Sequence, residues 1–416
     1  MDGTDAAESG ALGGRTLLVI APDFPDEANR YIGGVFVKHQ LEPIRKAFGR
    51  VIVIAPVPLS GRRVASDRFC RDYRYGNVEV YFPRALFVPR RLRLPLFEWT
   101  KPYLDLRVRA VERLIRSKGI RFDLVHAHFT WPSGHIARRL KETYGVPSVL
   151  TVHEDSGWLA EEAATAHPLV VAAWRAQDAI VRVNRRDVPL LERYTPHVLS
   201  IPNGYPPEFR PMDRDDCRRQ LGLPLDAKVL FSLGYLVEQK GFAYLVEAMH
   251  RVVDARDDVV CCIGGSGPLL EDLQGRIDGL GLSDRVRLLG FVEDALVPIW
   301  MNAADLFVMS SLNEGNPTVM FEALGCARPF VGTRVGGIPE IIDSDDYGLL
   351  VDPADPVGLA DAILAGLDRA WDIDQIRKYG WQFSWEAIGV RLLEVYTRLL
   401  ADTSSKTAAS SPVRTR

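Results

Sequence analysis

No run of roughly 18 apolar residues occurs in the chain, so no segment reads as a helix that spans a membrane. Its five cysteines (Cys70, Cys217, Cys261, Cys262 and Cys326) lack the paired spacing of a metal site. The adjacent pair sits in an apolar run where thiols act as small hydrophobes, and reduced thiols imply a cytoplasmic setting. An excess of either charge is missing too, since 51 Lys and Arg face 54 Asp and Glu for a net charge of -3. No global basic field therefore argues for nucleic acid. The first residues, MDGTDAAESGALGGR, are acidic and small, without the basic and apolar regions of a signal peptide. Both ends, 1–14 and 402–416, are expected to be disordered.

What is present is enough apolar material for a large core: 416 residues, 47% of them hydrophobic, a length that favours two domains. From Arg15 to Leu199 the runs TLLVIAP, RVIVIAP, FDLVHAH, PSVLTVH and AIVRVN alternate with helical segments. That is the pattern of a doubly wound parallel sheet. A second series runs from KVLFSLG at Lys228 through DVVCCIGG, RVRLLGF, ADLFVMS and RPFVGT to GLLV. Between the two, SIPNGYPPEFRP (200–211) carries four prolines and a glycine and reads as the interdomain connection.

The most informative segment is SSLNEGNPTVMFE, Ser310 to Glu322. It follows a buried strand, places Glu314 in a polar loop, and starts a helix near Pro317 that carries Glu322. Loops of this kind, at the carboxyl ends of parallel strands, are where α/β sheets bind ligands. Free amides at the helix start favour a phosphate, and flanking carboxylates would repel one unless each accepts hydrogen bonds from neighbouring hydroxyls. At ~1.5 Å per residue Glu322 stands roughly 7 Å along the helix from Pro317, about the span from a diphosphate to its ribose. The ligand so implied has sugar, diphosphate and ribose in series. A solvated helix face can also carry such a pair of glutamates.

This Glu-x7-Glu spacing resembles the signature of retaining nucleotide-sugar glycosyltransferases of family 4 (glycosyl transferases group 1). The resemblance covers nearly the whole chain and implies the α/β fold called GT-B, two Rossmann-like doubly wound parallel-sheet domains facing across a cleft. It assigns 15–199 to an acceptor-side domain, 200–382 to a donor domain, and 383–400 to a last helix that crosses back onto the first.

Other segments fit the same family. SLGYLVEQKGFAYLVEAM (232–249) places Lys240 and Gly241 at a helix start, where an ammonium and amides meet a diphosphate. The family usually has an arginine where this chain has Tyr235, so its two-cation clamp is incomplete. GGSGPLLEDL (264–273) lacks the third glycine of a dinucleotide fingerprint. In the family this turn, with Gly265 and Gly267, lets the backbone approach the nucleotide, and GFVED (290–294) brings Val292 to the base. Gly33 and Gly34 precede a helix where the family holds donor and acceptor. TVHED (151–155) ends a strand with His153, which the family sets against the donor sugar, although Glu154 stands where a glycine is common. VHAHFTWPSG is a recurrent family string on the acceptor side. Its His126 and His128 could share a strand face as metal ligands but have no third partner.

The resemblance thus implies a retaining glycosyltransferase moving a sugar from a nucleoside diphosphate donor to a carbohydrate or lipid-linked acceptor, with no further cofactor. Lys240 would hold the diphosphate, Glu322 the ribose, and Glu314 with the Asn316, Thr318 and Val319 backbone the sugar. No metal is expected, because the Asp-x-Asp triplets at Asp213, Asp343 and Asp372 follow no buried strand. A glycoside hydrolase using Glu314 and Glu322, and a catalytically silent sugar-nucleotide binder, are the alternatives. From Arg84 to Arg121, eleven Lys and Arg less three acidic residues give a local +8, interleaved with Leu, Phe and Trp. Such a surface suits peripheral contact with anionic lipid at the inner membrane leaflet, or a solvated cover over the core.

Overall fold

The structure, a computed structural model, describes residues 12–31, 33–59, 69–86 and 100–409. Short β-branched runs become two separate sheets. The first contains β1 (Thr16–Ile20), β2 (Arg50–Ile54), β4 (Tyr73–Tyr75), β5 (Val78–Tyr81), β7 (Leu124–His128), β8 (Ser148–Val152), β9 (Ala179–Arg182) and β10 (Val198–Ser200). Its order is β10-β9-β8-β7-β1-β2-β5-β4, and only the β4–β5 pair is antiparallel. A small parallel pair, β3 (Val57–Leu59) with β6 (Arg84–Leu86), lies outside it.

The second sheet is parallel throughout, in the order β13-β12-β11-β14-β15-β16. These strands are β11 (Lys228–Leu233), β12 (Val259–Gly264), β13 (Val286–Gly290), β14 (Leu306–Met309), β15 (Phe330–Thr333) and β16 (Gly348–Val351). Each run read from the sequence as strand is one. The sequence reading missed β3 to β6 and β10, which are short or carry too few β-branched residues to stand out from loop.

In both sheets the winding direction reverses once, between β1 and β7 in the first and between β11 and β14 in the second. Ligands bind at such switch points, outside the carboxyl ends of the strands. Both faces of each sheet are covered, so the central strands are buried along their length; β7 and β12 are buried at every residue.

The chain crosses between domains twice, and the crossings touch. Tyr205, in the proline-rich connection, pairs with the Phe383–Trp385 stretch: its N–H donates to Phe383 O at 3.1 Å and its carbonyl accepts from Trp385 N at 3.0 Å. The helix that follows, Trp385–Ala409, lies on the first domain. Trp385, Ile388, Leu392 and Tyr396, at helical spacing, join the core under helix Val35–Arg45. This corrects both expected tails. The helix continues past Asp402 to Ala409, and Leu12 is buried in the first domain's core. Residues 1–11 and 410–416 lie outside those described.

At the base of this packing the Tyr396 hydroxyl bonds Nδ1 of fully buried His126 at 2.7 Å, and His126 Nε2 meets Thr151 Oγ1 at 2.8 Å. Burial pushes the His126 pKa down to about 3, so the ring is neutral. Replacing Tyr396 with Phe strands Nδ1 without a partner, and stability should fall by about 1–2 kcal/mol in urea unfolding. An unchanged midpoint and slope would show that the bond contributes nothing.

Candidate active site

The cleft is built from loop tips at the carboxyl ends of both sheets. On the second domain, Lys240 closes a 3-10 turn (Glu238–Lys240) after β11, and Gly241 passes the chain into helix Phe242–Ala255. Glu314 lies in the loop after β14. These two residues form an ion pair, Lys240 Nζ donating to Glu314 Oε1 at 2.6 Å, and Ser311 Oγ donates to the same oxygen at 2.7 Å. The Glu314 side chain is only 8% exposed.

Pro317 is the N-cap of helix Thr318–Gly325. Thr318 and Val319 occupy its first turn, where amides have no carbonyl of their own helix to bond. Glu322 sits one turn further, and its carboxyl is pushed up to about 8 by burial, with Asp294 and Glu208 adding repulsion. Asn316 also braces its own loop. Its Oδ1 accepts from Asn203 N at 2.9 Å and its carbonyl from Asn203 Nδ2 at 2.7 Å, which ties the loop to the interdomain connection.

The Gly-Ser-Gly turn has a steric reason. A Cβ on Gly265 would stand 1.8 Å from Gly234 O and one on Gly267 would stand 2.5 Å from Leu236 O, both at positive φ. The turn is therefore pressed onto the loop after β11, next to Lys240. Val292 turns its side chain into the core. Tyr235 is 60% exposed, and its phenol has no bonding partner among the described residues.

The first domain faces these groups with His153, at the tip of β8. His153 Nε2 and His128 Nδ1 are 3.0 Å apart, so one donates and the other accepts. Burial pushes the His153 pKa down to about 3 and holds that of His128 well below the ordinary imidazole value, which makes both rings neutral at physiological pH. The pairing fixes the ring and leaves Nδ1 as the atom without a partner. Phe36 and Phe129 pack against the ring at centroid distances of 4.9 and 5.0 Å. Glu154 has a bracing role: its Oε1 accepts from Thr130 N at 2.6 Å and pins the loop after β7. Gly34 needs its missing side chain, since φ is 69° and a Cβ would lie 2.3 Å from Asp23 O; a Cβ on neighbouring Gly33 meets only the movable Tyr31 ring.

Several residues here gave no motif in the sequence. Asn313 Nδ2 donates to Asp155 Oδ1 at 2.9 Å across the cleft, Asn184 Nδ2 to Gly315 O at 3.3 Å, and Glu340 accepts from the Arg185 and Arg186 amides at 2.5 and 2.7 Å. Asn184 follows β9 as His153 follows β8, and strand-tip position was the available signal. His39 faces the carboxylates of Glu208 and Asp294; burial lowers its pKa and those charges oppose the shift. The Asp-x-Asp triplets stand apart: Asp213 and Asp372 cap helices and Asp343 is exposed. Among the described residues no three His, Cys, Asp or Glu side chains come together as metal ligands.

Residues 227–369 match the family described as glycosyl transferases group 1, and 33–188 the glycosyl transferase 4-like domain. A D-inositol 3-phosphate glycosyltransferase from Corynebacterium jeikeium is 32% identical over 312 residues, covering 68% of this chain and 74% of that protein. The chain belongs to the group 1 glycosyltransferases. A Bacillus subtilis protein named as a teichuronic acid biosynthesis glycosyltransferase, TuaC, is 29% identical over 79% of this chain and 84% of its own. Among solved structures, sucrose-phosphate synthase from Thermosynechococcus elongatus superposes with a TM-score of 0.74 at 22% identity, over 93% of this chain and 100% of that one. Anabaena HepE in complex with UDP gives 0.69 at 19% identity, over 92% and 100%. Both share the GT-B architecture expected from the sequence.

Glu322 makes a stability prediction. Its folded-state pKa lies above its unfolded value of 4.5, so its contribution is fully present below that value and is lost as pH rises through about 8. The Glu322→Gln variant escapes that loss, and above pH 8 it should unfold at higher denaturant than the wild type, by on the order of 1–2 kcal/mol. Parallel pH–stability curves for the two proteins would rule out the elevated pKa.

Proposed function

We propose that the chain is a retaining glycosyltransferase that takes a sugar from a nucleoside diphosphate donor and places it on an acceptor hydroxyl. The observation that carries this reading is the meeting of Lys240, the first-turn amides of helix Thr318–Gly325, and the carboxylates Glu314 and Glu322 at one switch point, opposite His153. Lys240 and the amides stabilise the leaving diphosphate, Glu322 accepts from the ribose hydroxyls, and Glu314 meets the donor sugar. His153 presents Nδ1 to the same sugar from the first domain. Diphosphate and Glu314 then compete for one ammonium, so donor binding frees the Glu314 carboxylate for sugar hydroxyls. The name of the B. subtilis relative favours polysaccharide synthesis, and a lipid-linked acceptor is the other candidate.

The test is donor turnover with Lys240→Ala and Glu322→Ala, in EDTA and with added Mg2+ or Mn2+. Each loses a charge-assisted contact worth on the order of 1.5–3 kcal/mol, so kcat/KM should fall roughly ten- to a hundredfold while the fold persists. Wild-type turnover should persist in EDTA, with the ammonium and amides balancing the diphosphate in place of a metal. Glycoside hydrolysis without nucleotide would favour a hydrolase, and donor binding without product a silent binder.

Peripheral membrane contact is the second part of the proposal. On helix Thr100–Lys118 the exposed cations Lys101, Arg109, Arg113 and Arg116 fall within about 120° of one another, a basic stripe on the first domain. The cations Arg90, Arg91 and Arg93 of the same basic segment lie outside the described residues. Among the described residues no helix is long and apolar enough to cross a membrane. The protein should cosediment with anionic vesicles less as salt rises, and less again after Arg109→Glu with Arg113→Glu. Equal recovery on neutral and anionic vesicles would sink the idea.

A further inference from the structure

The second sheet has a cavity at its other end, away from Lys240 and Glu314. It has a volume of about 230 Å³ and opens where β11, β14 and β15 begin. Its Lys228 begins β11, whose six residues set it roughly 20 Å from the loop after that strand. Four cations line it, Arg214, Lys228, Arg328 and Arg369, against one carboxylate, Asp305.

That carboxylate is already committed. Asp305 Oδ2 accepts from fully buried Arg218 at 2.7 Å and from Val229 N at 2.7 Å, so its charge is balanced within the fold. Arg214 reaches it only at 3.6 Å and otherwise pairs with exposed Asp215. Arg369 stacks over Trp371 at 4.7 Å and meets half-exposed Asp346 at 3.7 Å. Lys228 and Arg328 have no carboxylate within 4.0 Å among the described residues. Arg328 is the decisive group. Its guanidinium donates only to carbonyls, Nε to Cys326 at 3.0 Å and Nη1 to Ala304 at 3.4 Å. Burial holds its pKa below the ordinary arginine range. A cation taken from water with no ion-paired partner is disfavoured, and an incoming anion would offset that cost.

We propose that this cavity binds a small phosphate ester, at a site separate from the donor cleft. The geometry selects the ligand class. Three guanidinium forks and one ammonium around a single cavity match the several oxygens and double charge of a phosphate, whereas one fork satisfies a carboxylate. The volume falls below the 300–1,000 Å³ typical of drug-sized ligands, which limits the ester to about the size of a sugar phosphate. Because Arg214 opens helix Arg214–Leu221 directly after the interdomain connection, bound phosphate ties the start of the donor domain to β15.

The experiment titrates inorganic phosphate into the full chain by calorimetry, comparing the wild type with Arg328→Met, Lys228→Gln and Lys240→Ala. Saturable binding is expected in the wild type and in Lys240→Ala, with affinity reduced roughly tenfold or more in Arg328→Met and Lys228→Gln. Lys228→Gln keeps the test sharp if Arg328→Met fails to fold. Absence of saturable binding at millimolar phosphate would overturn the proposal. So would binding that disappears in Lys240→Ala and persists in the other two, because the phosphate would then be in the donor cleft.

Discussion

The first-domain side of the cleft depends on one buried guanidinium. Arg182, at the end of β9 and fully shielded from solvent, donates to Val152 O at 2.8 Å, to Glu154 O at 2.7 Å and to Asp187 Oδ2 at 2.5 Å. Asp187 in turn holds Ser156 Oγ at 2.7 Å and Asn184 Nδ2 at 3.0 Å. Burial alone would raise the Asp187 pKa, but the charge and hydrogen bonds of Arg182 pull it below its usual value. Removing either partner leaves a bare charge inside the domain, a loss of about 3–5 kcal/mol. His153, Asp155 and Asn184 all sit on backbone held by this pair. The placement of the histidine and the cross-cleft contacts of its neighbours are thus consequences of a buried ion pair.

The two halves of the cleft meet through hydrogen bonds and not through an apolar core. Asp155 with Asn313, Asn184 with Gly315, and Glu340 with two amides can each be exchanged for water with little net change in free energy. The apolar contact lies elsewhere, where the last helix packs on the first domain and the Tyr205–Trp385 crossing joins the domains. Such a division gives a strong attachment on one side of the cleft and a weak closure on the other, the arrangement that lets a cleft open to admit a large ligand.

Fold and motif were legible where the information was local. β-branched runs such as VVCCI and LLVI specify buried strands by themselves, and the glycine and glutamate spacings specify loops at strand ends. Illegible were contacts that need the register of two strands or the meeting of two domains. His128 reaches His153 because β7 and β8 pair His128 with Thr151, and nothing local encodes that register. Lys240 and Glu314 are 74 residues apart, yet they share a proton-donor contact because β11 and β14 are neighbours. Glu154 looked like a departure at a ligand site and is a brace for Thr130. Asn316 also braces its loop by bonding Asn203, a contact with the interdomain connection that nothing local encodes.

Glu322 shows how the site keeps a group that the fold alone would not favour. A carboxyl on a largely apolar helix, close to Glu208 and Asp294, raises the free energy of the unliganded protein whenever it ionises. No described side chain supplies it with a hydrogen bond. A pair of vicinal hydroxyls would do so and would favour the ionised form, so ligand binding and proton release become one event at this residue. The same logic separates the two glutamates of the motif. Glu314 has its counter-charge built in through Lys240, whereas Glu322 has only like charges nearby. One spacing in the sequence therefore encodes two opposite electrostatic environments, a carboxylate paired with an ammonium and a carboxyl buried among like charges.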